Sequence, residues 1–143
     1  MFNTFQLETG MHMCAKKVLV TYATRYGTTQ EIAGHIARTL AASGLDTDLI
    51  PVMEVGTVDE YDAIVIGSPL YMGKILVEAR EFCEKYKPHL AGKWIAFFVD
   101  GVSVCSQSPK KLESMFAAID AMSINIVIEE KAAFGGRMVL SSL

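Results

Sequence analysis

Three stretches of this chain are apolar almost without a break: Val18-Leu19-Val20-Thr21-Tyr22-Ala23, Ala63-Ile64-Val65-Ile66 and Trp94-Ile95-Ala96-Phe97-Phe98-Val99. Runs of this length read as strands, and a strand without polar alternation is buried on both faces. Such strands need cover above and below, so they imply a parallel sheet layered between helices. Helical patterns stand between them. Ile32, Ala33, Ile36, Ala37 and Leu40 form one apolar stripe, Ile75, Ala79, Phe82 and Tyr86 a second, and Leu112, Met115, Phe116 and Ile119 a third.

Taken in order, residues 1–15 read as a mobile extension and residues 16–143 as one domain. The extension lacks a basic start followed by a long apolar core, so it does not resemble a secretory signal. The first strand runs from Lys17 to Ala23. The first helix is expected from Thr28 or Thr29, where Thr28 and Glu31 match a capping box, with Gly44 ending it. His35 falls off the apolar stripe and is expected in solvent. Asp46 to Val52 is a second strand, and the link from Met53 to Tyr61 is too short for a full helix. A third strand over Ala63–Ser68 is followed by a loop, Pro69 to Gly73, and a helix over Lys74–Tyr86 that Pro88 helps to stop. Lys93 to Val99 is the fourth strand. Ser108-Pro109 opens a third helix, reaching about Met122. The fifth strand, Ile126 to Phe134, carries Glu129-Glu130-Lys131, charges that suit a sheet edge. Right-handed crossovers follow from this β-α-β-β-α-β-α-β order.

The length bounds the chain to one domain with a real core. Hydrophobic residues make up 51% of 143, which opposes disorder, and a net charge of −3 argues against nucleic-acid partners. No apolar run is long enough for a transmembrane segment. Cys14, Cys83 and Cys105 are widely spaced, without CxxC or a histidine pair. That spacing disfavours a metal site, and an odd thiol count suits a reduced, cytoplasmic protein.

Two loops carry the chemistry. Thr24-Arg25-Tyr26-Gly27-Thr28-Thr29 joins the first strand to the first helix. Free N–H groups at a helix start favour an anion, hydroxyls add donors, and Gly27 is able to take φ > 0. It is neither a Walker A loop nor GxGxxG. Gly67-Ser68-Pro69-Leu70-Tyr71-Met72-Gly73 ends the third strand. In an open parallel sheet of order 2-1-3-4-5, the first and third strands flank the switch point where ligands bind. Both loops then face one crevice, with Tyr71 available to stack on a planar ring and Met72 beside it.

From Lys16 to about Met138 the chain resembles the flavodoxin-like family. It is most similar to the branch containing menaquinone-dependent protoporphyrinogen oxidase. The residues that carry this are Tyr22 to Thr29, Gly67 to Lys74, and Phe134-Gly135-Gly136-Arg137. The resemblance implies an open parallel five-stranded sheet and FMN as cofactor. The phosphate is then expected on Thr24, Arg25, Tyr26, Gly27, Thr28 and Thr29. The ring is expected against Pro69, Leu70, Tyr71, Met72 and Gly73, with Asp100 and Gly101 opening the other wall. Tyr26 stands where the family usually carries a small hydroxyl residue. The second crossover helix is reduced and the usual C-terminal helix is missing, which leads to an expectation of either a homo-oligomer paired through the face left open or a fragment of a longer chain. The implied activity is electron transfer between redox partner proteins or with a quinone, with no catalytic side chain beyond the cofactor. The alternatives are a protoporphyrinogen dehydrogenase-like oxidoreductase and a flavin-free interaction domain.

Overall fold

The computed structural model describes residues 17–25, 27–71, 74–100, 116–117, 119, 128–134 and 138–140, with backbone only for Tyr71 and for 138–140. The strands are β1 (Lys17–Tyr22), β2 (Asp46–Pro51), β3 (Ala63–Tyr71), β4 (Lys74–Ile75), β5 (Trp94–Asp100), β6 (Glu130–Phe134) and β7 (Met138–Leu140). The helices are α1 (Thr28–Ala42) and α2 (Val77–Leu90), with a 3-10 turn at Val52–Glu54. Of the third expected helix, Phe116, Ala117 and Ile119 are described and are helical.

The sheet order is β2-β1-β3-β5-β6-β7. The first five strands in that order are parallel, as the 2-1-3-4-5 reading expects, and β7 adds antiparallel to β6. Alternate residues of β1, β3 and β5 supply the two sides of the core. Leu19, Ile64, Ile66, Ile95, Phe97 and Val99 pack with Ala79, Phe82, Tyr86 and Leu90 of α2 and with Ile119. Val18, Val20, Ala63, Val65, Ala96 and Phe98 pack with Ala33 and Leu40 of α1. Both sets are buried, which is why these strands read as unbroken apolar runs.

The reduced crossover is a single 3-10 turn and a loop, as its length requires. Val52, Val55 and Val58 take the place of helix side chains in the core. The Tyr86 hydroxyl, buried, donates to the Val55 carbonyl at 2.9 Å and ties the segment to α2. At the amino ends of the strands, Tyr61 donates to Asp48 at 2.6 Å, Lys93 Nζ donates to the Tyr61 carbonyl, and Lys17 pairs with Glu60.

Four local expectations change. Thr28 is not the cap of α1; Gly27 is, with φ 92°, and its carbonyl accepts the Glu31 N–H at 3.1 Å. A left-handed glycine turns the chain one residue earlier, so Thr28 enters as the first helical residue. Pro69 to Tyr71 are strand, not loop, because β5 stays alongside as far as Asp100 opposite Pro69, and Leu70 and Tyr71 then pair with Ile75 and Lys74. Lys74 is accordingly in β4 and α2 begins at Val77. Pro88 lies inside α2, which continues to Leu90 because that side chain is buried one turn further along the apolar stripe. Finally, β6 is not the outermost strand. β7 covers Ala132 to Phe134, and Glu130 and Lys131 precede that pairing. Gly44 ends α1 as expected, with φ 96°: its N–H reaches the Ala41 carbonyl and that of Leu45 reaches Leu40, a Schellman arrangement. His35 is exposed, 3.1 Å from Arg38.

On the α1 side of β5 and β6, Ala96, Phe98 and Ala132 are buried and Trp94 and Phe134 half-buried. Phe98 meets Phe134 edge-on at 5.6 Å. Small side chains and one aromatic pair line this face. Phe98 also lies over Gly67, where an added Cβ would come within 2.0 Å of the ring.

Two predictions follow from this packing. Gly67→Ala is expected to destabilise the fold by about 1–3 kcal/mol, since a buried ring between two strands has no room to retreat. The Thr21 hydroxyl is fully buried without a partner among the described residues. Thr21→Val removes that burden and is expected to stabilise by about 1 kcal/mol. Urea unfolding midpoints at constant m-value read both.

Candidate functional site

The site begins at the carboxyl end of β1, beside β3, which runs on past the Tyr22–Gly67 pair as far as Tyr71. Beyond the ladder, the Ala23 N–H donates to the Gly67 carbonyl at 2.9 Å, so β1 releases its loop beside the middle of β3. Thr24 then folds back: its Oγ1 accepts the Gly27 N–H at 2.9 Å. Gly27 holds φ 92° and ψ −14°, a conformation that L side chains rarely adopt, and among the described residues no atom outside its chain neighbours comes within 4 Å of where a Cβ would stand. The backbone is thus turned and its outer side left open. The N–H groups of Thr28, Thr29 and Gln30 follow as the first of α1 and have no intrahelical acceptor. Thr28 is exposed.

The remaining polar groups brace this loop. Thr29 is buried, and its hydroxyl donates to Asp100 Oδ1 at 2.6 Å, joining the start of α1 to the end of β5. The Thr29 side chain therefore faces inward; what it offers outward is its N–H. Asp100 is the last residue of β5, not a loop residue, and is buried. Burial pushes its carboxyl above the ordinary range, and the bond from Thr29 opposes that shift. Arg25 is exposed and its Nη1 lies 3.0 Å from Glu78 Oε2, in the first turn of α2. Ser68, fully buried, donates to the Pro69 carbonyl at 2.8 Å and accepts the Leu76 N–H at 3.1 Å, fixing the β3–β4 hairpin to the start of α2.

Of the residues singled out in the sequence, Thr24, Arg25, Gly27, Thr28 and Thr29 lie together at this edge. Pro69 and Leu70, half-buried, are on the neighbouring strand. Tyr26, Met72, Gly73 and Gly101 lie outside the described residues, as does the side chain of Tyr71. The bracing roles of Ser68 and Glu78 escape the sequence: Ser68 looks like any strand-end serine, and Glu78 pairs with a residue 53 positions away. Cys83 is buried in α2, its thiol pushed up to about 12 by burial, which leaves it inert. Among the described residues, no group of three or more acidic, histidine or cysteine side chains is placed to hold a metal.

With this geometry in place, a family model for the flavodoxin domain matches residues 19–143. The chain belongs to the flavodoxin domain family. Among curated relatives, this flavodoxin domain is 31% identical over 97 residues to protoporphyrinogen IX dehydrogenase [quinone] of Escherichia coli K12. The match takes in 66% of this chain and 52% of that protein, so the domain spans about half the length of the curated relatives it matches. Among solved structures it superposes on flavodoxin 2 of Bacillus cereus with a TM-score of 0.63 at 24% identity, covering 83% of this chain and 84% of that one. It superposes on a variant flavodoxin of Fusobacterium nucleatum bound to flavin mononucleotide with a TM-score of 0.54 at 18% identity, covering 73% and 65%. These likenesses are of fold. No described helix of this flavodoxin domain is long and apolar enough to cross a membrane.

The Asp100 carboxyl gives a pH test with a definite sign. A folded-state value above the unfolded one makes the folded state prefer the protonated form. The associated stability is fully present below the ordinary aspartate value near ~4 and is lost as pH rises through the elevated one. Asp100→Asn keeps an oxygen to accept the Thr29 hydroxyl and removes the buried charge. The variant is expected to gain stability relative to wild type between pH 4 and pH 7, read from urea midpoints at those two values. A relative loss on going to pH 7 would contradict the burial argument.

Proposed function

We propose that this flavodoxin domain binds FMN and passes electrons between redox partners. The observation that carries the reading is the Gly27 turn at the carboxyl end of β1. Its backbone is held in the left-handed region with its outer side open among the described residues, and it leads straight into the first N–H groups of α1, which have no intrahelical acceptor. That cradle fits a phosphate group: donors converge from the backbone, the helix end favours negative charge, and Thr28 adds an exposed hydroxyl. Thr24, Gly27 and the N–H groups of Thr28 and Thr29 would hold the phosphate. Pro69, Leu70 and Tyr71 lie at the end of the adjacent strand, where a planar ring attached to that phosphate would rest. A flavin bound there supplies the electron-carrying chemistry itself. The work of the chain is to fix the phosphate, position the ring against β3 and keep the two loops in register through Ser68 and the Ala23–Gly67 bond. The cytoplasm is the setting we propose, in keeping with three cysteines at unpaired spacings.

A second reading is favoured by one observation, the 31% identity to protoporphyrinogen IX dehydrogenase [quinone]. On it, the domain would oxidise protoporphyrinogen and reduce a quinone. The match covers only about half of that enzyme, so electron transfer is preferred.

Titration of the purified protein with FMN is expected to reach one equivalent, with quenching of flavin fluorescence. Riboflavin, which lacks the phosphate, is expected to bind at least ~10-fold more weakly, as loss of a charge-assisted contact set implies. Gly27→Val is expected to weaken FMN by ~10-fold or more, because a β-branched residue at φ 92° costs upwards of ~1–2 kcal/mol and the cradle must open. Riboflavin binding is expected to change much less. A protein that takes up no FMN would refute the proposal. Steady-state oxidation of protoporphyrinogen with a quinone acceptor would favour the second reading.

A further inference from the structure

Arg25 is the only lysine or arginine in the loop from Thr24 to Thr29. Its guanidinium does not stand free beside the anion cradle. It is engaged by Glu78, Nη1 to Oε2 at 3.0 Å, from the first turn of α2. Glu78 is well placed to keep it: a carboxylate at a helix start is favoured by the same N–H groups and dipole that favour an anion at α1. Its other oxygen, Oε1, is buried and has no hydrogen-bond partner among the described residues. The carboxylate therefore depends on Arg25 for its compensation.

The pair joins the loop after β1 to the start of the helix that follows the β3–β4 hairpin. We infer that Glu78 is a specificity-determining residue: by holding Arg25 it sets how much positive charge a bound phosphate feels. This rests on the FMN reading above. With Arg25 held by Glu78, the charges at the anion loop nearly cancel, and the phosphate is held by N–H and hydroxyl donors. Discrimination between a phosphorylated flavin and its uncharged counterpart is then modest and nearly independent of salt. With the Glu78 carboxylate removed by substitution, Arg25 is released toward the dianion and discrimination rises.

The test compares FMN with riboflavin on the apo-protein by fluorescence quenching, at low salt and at 0.5 M NaCl. Glu78→Gln keeps the size of the side chain. It is expected to raise the FMN-to-riboflavin affinity ratio roughly fivefold at low salt, the scale of one partly exposed ion pair. Salt is expected to erase most of that gain, since an exposed charge is screened. The gain is also expected to vanish in the double variant R25Q/E78Q, where no cation remains to be released. Glu78→Ala serves as a second variant, expected to shift the ratio in the same direction, and far-UV circular dichroism checks that each variant is folded. An unchanged or lowered ratio in both folded single variants overturns the inference while leaving FMN binding by the wild type intact. Failure of the wild type to bind FMN overturns the site reading and the inference together.

Discussion

The double burial of β1, β3 and β5 is the constraint on which everything else in this domain rests. A strand with Leu19 facing α2 and Val18 and Val20 facing α1 leaves no solvent face on which a polar residue is tolerated. The helices must therefore lie on opposite sides, and each crossover must return the chain to the same edge. The loops that leave the strand ends are then gathered along one rim. Function is placed by topology before any particular side chain is chosen.

Along that rim the chain uses few devices, some within one loop and some between elements far apart in sequence. Thr24 and Gly27 shape one loop from within. Thr29 anchors the start of α1 on the last residue of β5. Ser68 locks the hairpin to α2. Gly67 is small because the Phe98 ring occupies the space a side chain would need. The result is a loop whose outer surface is left to backbone donors, while its side-chain hydroxyls are mostly spent on holding it in shape. Thr28 is the exception, exposed at the first position of the helix.

The buried strands, the reduced crossover and the loop after β1 were legible from apolar runs and segment lengths, because two-sided burial writes itself directly into composition. Helix and strand limits were less so. The capping box at Thr28 and Glu31 was a sound local pattern, but a left-handed glycine one residue earlier supplied the turn instead. Pro69 reads as a strand breaker from local chemistry, and only the partner strand reaching Asp100 keeps it extended. Pro88 likewise reads as a stop until the burial of Leu90 is known. The contacts that brace the site, Thr29 with Asp100 and Arg25 with Glu78, span 71 and 53 residues, and no periodicity encodes them.

The segment between β2 and β3 has a consequence of its own. It replaces a helix with a short turn, three buried valines and one phenolic bond from Tyr86. A helix in that place would have to keep its length in whole turns to stay on the sheet. A link without helical periodicity carries no such requirement, and the entropy of closing a longer one grows only slowly with its length. This is therefore where the domain is open to change in size: residues gained or lost near Gly56 and Thr57 alter the outline on the α2 side while the rim on which the two loops meet stays as it is.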